Sequence, residues 1–229
     1  MYKFVSKCHN ENEEKKMKNA NCTTNEPRIK NVIFDFGQVL VKFDPRYMCE
    51  KILTNEKDVN TMQSVLFSRY YWDRLDAGTV SDEELMLDVK ANLPEHLHDA
   101  AENIYYNWIY TLPEIDGMRE VIALCRKKSY GVFLLSNISL YFATHKDEIP
   151  ILSLFDGMVF SAECGSVKPT QEIFAYITDK FNLTPRETLF VDDSAINIDG
   201  ANKFGINSYH FDGDAKKLFS FIESLPETK

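Results

Sequence analysis

Asn31-Val32-Ile33-Phe34-Asp35-Phe36-Gly37-Gln38-Val39-Leu40-Val41-Lys42-Phe43-Asp44 is the stretch whose reading settles the fold class. Its opening apolar run has no polar alternation, the pattern of a strand buried on both faces of a parallel sheet. The run ends on Asp35, with Gly37 close behind to allow a tight backbone turn. A carboxylate at the tip of a buried strand is costly unless it binds a cation, attacks a substrate or caps the turn that follows.

The same grammar recurs downstream in Gly131–Leu135 before Ser136-Asn137, Gly157–Phe160 before Ser161, and Thr188–Val191 before Asp192-Asp193. Amphipathic helical stretches at 116–128, 170–181 and 195–204 lie among them. Strands alternating with helices predict an α/β fold, a Rossmann-like doubly wound parallel sheet. The polar residues after the strands then gather at one sheet edge, where ligands bind in such folds. The interval 45–112 lacks Val/Ile-rich runs and reads as about four helices. Asp44 and Pro45 look like a cap and first helical position, Ser81–Glu84 like a capping box, and Pro94 and Pro113 like breaks. The expected organisation is a polar, disordered leader over 1–27, an α/β core formed by 28–44 and 113–229, and an inserted all-helical cap over 45–112.

Charge is uneven. The 229 residues sum to −9, yet residues 1–30 carry seven basic and four acidic side chains, leaving −12 on the remainder. Such a body repels polyanions, which argues against nucleic acid and demands a local positive device for any anionic substrate. Five scattered cysteines without a CxxC pair read as reduced thiols, and no apolar run approaches the roughly 20 residues of a membrane helix. A cytoplasmic protein without membrane contact is expected, while oligomeric state is unreadable.

The adjacent carboxylates of Asp192 and Asp193 repel each other unless a cation lies between them and Asp35, and oxygen-only ligands favour Mg²⁺. Ser136 and Asn137 offer a hydroxyl, an amide and backbone N–H groups suited to phosphoryl oxygens, or equally to turn and cap roles. Lys168, before Pro169 and a helix start, is either a neutraliser at this edge or a solvated surface lysine.

The ordered series Asp35, Ser136-Asn137, Lys168-Pro169, Asp192-Asp193 resembles the four motifs of the haloacid dehalogenase superfamily of hydrolases. The segments 32–44, 134–137, 166–169 and 189–206 are its specific parts. The last looks like the subgroup containing the bacterial alpha-D-glucose-1-phosphate phosphatase and the N-terminal phosphatase domain of soluble epoxide hydrolase. The resemblance implies a Mg²⁺-dependent phosphohydrolase of a small phosphorylated metabolite, such as a sugar phosphate, working through an aspartyl-phosphate on Asp35. It further implies metal binding by Asp35, the Gly37 carbonyl, Asp193 and Asp192, and phosphate binding by Ser136, Asn137 and Lys168.

One departure stands out: Gly37 occupies the position where most phosphatases of the superfamily carry a second Asp as general acid/base. Asp44, nine residues beyond Asp35, is a candidate replacement, with a helix cap as its ordinary role. A metal-independent 2-haloacid dehalogenase is the rival within the superfamily, and a non-catalytic binding or regulatory protein the rival outside it. The adjacent acids Asp192 and Asp193 favour the phosphatase. Substrate choice is expected to fall to the cap. Arg69, Trp72 and Arg74 are candidates there, together with the turn 76–79, although aromatics in this stretch serve equally well as cap core.

Overall fold

The computed structural model describes residues 28–228; the leader expected over 1–27 lies outside the described residues. Five strands form one wholly parallel sheet: β1 (Asn31–Phe34), β2 (Gly131–Ser136), β3 (Gly157–Phe160), β4 (Thr188–Asp192) and β5 (Asn207–His210), in the order β3-β2-β1-β4-β5. β1 is central, with Phe34 in register with Leu134 on one side and Val191 on the other. The chain order therefore reverses beside β1, creating the crevice at the carboxyl strand ends where α/β sheets bind ligands.

Alternation along the strands divides the core. Val32, Phe34, Leu134, Leu189 and Val191 face one side, packed with Val121, Ile122 and Cys125 of α6 (Met118–Lys127) and Leu218 and Ile222 of α11 (Ala215–Ser224). Ile33, Phe133, Leu135, Val159 and Phe190 face the other, against Ile173, Phe174 and Ile177 of α9 (Gln171–Phe181) and Ala201 of α10 (Ala195–Phe204). Such period-two burial on both faces is what an uninterrupted apolar strand produces. β5, at the edge, was not expected: its sequence is Asn-Ser-Tyr-His and only partly buried, so it carries no apolar signal.

The helices between β1 and β2 are α1 (Pro45–Glu50), α2 (Glu56–Leu66), α3 (Arg69–Asp76), α4 (Asp82–Ala91) and α5 (His98–Asn107). The interval is wholly helical as expected, with five α-helices where about four were read, and the first of them starts at the Asp44 cap and Pro45 as expected. Ser81 and Glu84 close a reciprocal capping box, each bonding the other's backbone N–H. The apolar cluster on the α6 face runs without a break into this interval through Phe36, Val41, Met48, Leu66, Leu85 and Trp108. Two short helices complete the path between strands: α7 (Leu140–His145) after β2 and α8 (Ser161–Cys164) after β3. Among the described residues no helix is long and apolar enough to cross a membrane, and Cys49, Cys125 and Cys164 are free thiols.

Candidate active site

Four sequence-distant segments converge at the carboxyl edge. Asp35 follows β1 and its backbone N–H extends the sheet by donating to the Val191 carbonyl at 2.9 Å. Asp192 closes β4, Ser136 closes β2, and Lys168 arrives on the segment between α8 and α9. The Lys168 ammonium donates to Asp35 Oδ1 and to Asp192 Oδ2, both at 2.7 Å, with its side chain 1% exposed. This is a buried triad of two carboxylates and one cation. Breaking such an arrangement is far costlier than the arrangement is stabilising, so its presence points to chemistry rather than stability.

Burial pushes the Asp35 carboxyl up to about 7, with Lys168 opposing the rise and Asp192 adding to it. Burial also acts to discharge Lys168, but its two carboxylate partners outweigh that and raise it, so it remains an ammonium. Asp193 is likewise raised, by burial first and then by the Asp192 charge beside it. Oxygens of Asp35, Asp192 and Asp193 lie within 4.8 Å of one another. Three hard carboxylate donors against one ammonium leave negative charge over, and that fits a divalent cation of the Mg²⁺ type.

Backbone and amide groups hold the triad in place. Asn137 accepts from the Lys168 N–H at 2.7 Å and donates to the Lys168 carbonyl at 3.1 Å, clamping the lysine segment to the end of β2. Asn197 donates to both Asp192 oxygens at 3.1 Å, and the Ser194 N–H donates to Asp192 Oδ1 at 2.8 Å. Asn197 belongs to the segment 189–206 that carries the family resemblance, but no site role is expected for it from the sequence. Its signal was its place in the first turn of a helix opening directly after the Asp192-Asp193 strand end, which returns its side chain to that end.

Gly200 makes a close backbone approach: a Cβ there would lie 2.7 Å from the Pro169 carbonyl oxygen and 2.7 Å from Pro169 Cβ. Gly200→Ala is therefore expected to push the Lys168-Pro169 segment outward and cost about 1–3 kcal/mol. Thermal unfolding checks this, and an unchanged midpoint refutes the contact's importance.

Above the edge opens a cleft of about 650 Å³, lined among others by Asp35, Gly37, Ser136, Asn137, Lys168, Asp193 and Asn197 from the sheet side. Arg69, Trp72, Asp73 and Asp76 of α3 line it from the helical interval, with Phe43, Phe67 and Trp108. Trp72 both lines the cleft and belongs to an aromatic cluster, stacked on Phe67 at 5.4 Å and edge-on to Phe43 at 5.2 Å. Its indole N–H is already engaged by the Leu66 carbonyl.

Three expectations are corrected. Asp44 is not among the cleft-lining residues; its Oδ1 accepts from the Arg46 and Tyr47 N–H groups as the cap of α1, so it serves the helix start and not the cleft. Arg74 also lies outside the lining, pairing with Asp88 at 3.6 Å and lying over Tyr70. It follows Arg69 by five residues, a rotation of about 140° on a helix, so the two cannot share a face. Gly37 does not carry the tight turn: Gln38 does, at φ 58°. A Cβ on Gly37 would meet only Phe43 Cβ, at 3.8 Å.

The model of the haloacid dehalogenase-like hydrolases matches residues 29–205. The chain belongs to that family. It is 26% identical over 189 residues to a D-ribitol-5-phosphate phosphatase of Bacteroides thetaiotaomicron, covering 79% of this chain and 91% of that protein. A phosphorylated carbohydrates phosphatase of Thermotoga maritima is 21% identical, with 86% and 88% covered. Among solved structures, the magnesium complex of a family enzyme from Bacteroides thetaiotaomicron superposes with a TM-score of 0.60 at 26% identity, covering 79% of this chain and 92% of that one. The hydrolase family and the parallel fold expected from the motifs are thus in place.

Proposed function

We propose that the chain is a Mg²⁺-dependent phosphatase of a small phosphorylated metabolite, in the first instance a sugar or sugar-alcohol phosphate. The observation that carries the reading is the buried Lys168 ammonium held between Asp35 and Asp192 beside the exposed Asp193. Asp35, the Gly37 carbonyl and Asp193 would hold Mg²⁺, with Asp192 behind them directly or through water. When bound, the ion supplies positive charge to the transferring phosphoryl oxygens. Asp35 attacks phosphorus, the ester oxygen leaves, and water then cleaves the aspartyl-phosphate. Lys168, Ser136 and the backbone N–H of Asn137, whose amide is taken by the Lys168 backbone, hold the phosphoryl oxygens, and Lys168 reverses the acidic sign of the chain locally.

The helical interval 45–112 acts as a cap over this edge. Its aromatic wall of Phe67, Trp72 and Trp108 suits the apolar faces of a carbon skeleton, and Arg69, Asp73 and Gln38 suit hydroxyls. The named activities of the relatives on ribitol phosphate and phosphorylated carbohydrates support that class.

Phosphate and halide release with and without chelator test the reading. Aryl phosphate turnover is expected to fall at least about 10²-fold with chelator, with no halide released from 2-haloacids. Halide release in chelator would replace the phosphatase by the dehalogenase, and release of neither product at any metal concentration would leave a binding protein. Independently of turnover, Mg²⁺ at about 100 times its Kd is expected to stabilise by about 2.7 kcal/mol, roughly 5–10 °C for a chain of this size. An unmoved midpoint overturns the metal site.

A further inference from the structure

We propose that Asp76 is the proton donor and acceptor of the reaction, brought to the cleft by α3 from above in place of the side chain that Gly37 lacks. The proposal rests on the phosphatase reading. Among the described residues four carboxylates line the cleft: Asp35, Asp73, Asp76 and Asp193. Asp35 is held by Lys168, Asp73 is paired with Arg69 at 2.7 Å in a largely exposed bridge, and Asp193 belongs to the cation-fitting cluster. Asp76 stands apart from these engagements. Burial pushes its carboxyl up to about 7; Arg69 and Lys168 pull it down, while Asp73 and Asp35 push it up, so it lies within the field of the triad. These are the charges that bear on it: two from its own helix, one from the tip of β1 and one from the segment after α8. A carboxyl that keeps its proton near neutrality, faces a cleft and has no fixed partner among the described residues has the properties of a general acid.

The fold also fixes where Asp76 stands. Two residues on, Gly78 adopts φ +66°, and a Cβ there would lie 2.7 Å from the Ala162 carbonyl oxygen and 3.3 Å from Ala162 Cα. The turn that ends α3 is thus seated backbone against backbone on α8, directly after β3, which ties Asp76 to the carboxyl edge of the sheet. Arg69, Trp72, Asp73 and Asp76 follow the i, i+3, i+4, i+7 spacing of one helical face, and all four line the cleft.

The proton account closes. As Asp35 bonds to phosphorus and the ester P–O bond breaks, the leaving oxygen takes the Asp76 proton and departs as an alcohol. The Asp76 carboxylate then takes a proton from the water that attacks phosphorus, the bond from phosphorus to Asp35 breaks, and phosphate leaves. Both carboxyl groups return to their starting forms.

The test measures kcat/KM across phosphomonoesters from nitrophenyl to alkyl, from pH 5 to 9 with Mg²⁺, for wild type, Asp76→Asn and Asp76→Glu, each checked for native circular dichroism. Asp76→Asn is expected to lose about 10²–10³-fold on alkyl esters and less than about 10-fold on nitrophenyl phosphate, whose leaving group needs no proton. Because the acid must be protonated, wild-type kcat/KM on alkyl esters falls as pH rises through about 7; the Asn variant loses that limb, and Glu retains it with a shifted midpoint. Equal losses across the ester series, or a limb surviving in Asp76→Asn, overturn the assignment while leaving the phosphatase intact. Should Asp76→Asn not fold, Asp76→Glu decides alone: a limb that does not move overturns the proposal. A wild type that releases no phosphate from any ester overturns the underlying reading instead.

Discussion

Asp35→Asn is expected to reduce phosphate release by on the order of 10⁴-fold or more, because it removes the attacking oxygen itself rather than a group that assists it. The amide is close to isosteric, and the site favours its folding. Asp35 is a buried carboxylate raised to about 7 by desolvation, so in the wild type stability is lost as pH rises from the ordinary carboxylate range through 7. The Asn variant has no such titration and is expected to match or exceed the wild-type unfolding midpoint at pH 8. Lys168 keeps Asp192 as a partner at 2.7 Å, so no cation is stranded. Turnover within about tenfold of wild type, in protein free of contaminating phosphatase, would remove Asp35 from the nucleophile role. Trapping of phosphoryl-enzyme in the wild type and its absence in the variant would show that the loss lies in the covalent step.

Lys168→Met has the second large effect, and it strikes stability as well as rate. The ammonium is 1% exposed and lies between two carboxylates. Its removal leaves Asp35 and Asp192 facing each other in a medium that cannot screen them, a loss of about 3–5 kcal/mol for an uncompensated buried charge, or roughly 10 °C in midpoint. The sign follows from Asp35. Without Lys168 its folded-state pKa rises further above the unfolded value, so the penalty is absent below about pH 4 and grows as pH rises through 7. Added Mg²⁺ is expected to return part of the lost midpoint by supplying charge to the same carboxylates, without returning turnover, which falls by at least about 10²–10³-fold as a phosphoryl contact is lost. A midpoint deficit that is the same at pH 4.5 and pH 8 would show that Lys168 acts through packing of its methylene stem.

The fold was legible where residues answer to local physics. Val32 to Phe34 and Leu189 to Val191 are unbroken apolar runs because their strands are covered on both faces, and each announces the acid that follows it. Lys168 and Asp192 were readable as neighbours only through the strand order, since 24 residues separate them and nothing local joins them. β5 was invisible because an edge strand needs little apolar sequence. Arg74 misled because charge type was weighed without helical phase. The turn at 76–79 was noticed, but what distinguishes Asp76 is a burial that arises from docking two elements and leaves no mark on the residues around it. Asp44 shows the converse: a cap beside Pro45 is written locally, and the local reading held.

The left-handed residue of the loop after β1 is Gln38, and the backbone at Gly37 is one that any side chain tolerates. What position 37 carries is therefore independent of how the loop is built. Over evolutionary time such a site can gain or shed a functional group by single substitutions without refolding the scaffold, provided the group's task passes to some other surface of the cleft. Chemistry and architecture are separable here: a new side chain at position 37 needs no rearrangement of the loop that bears Asp35.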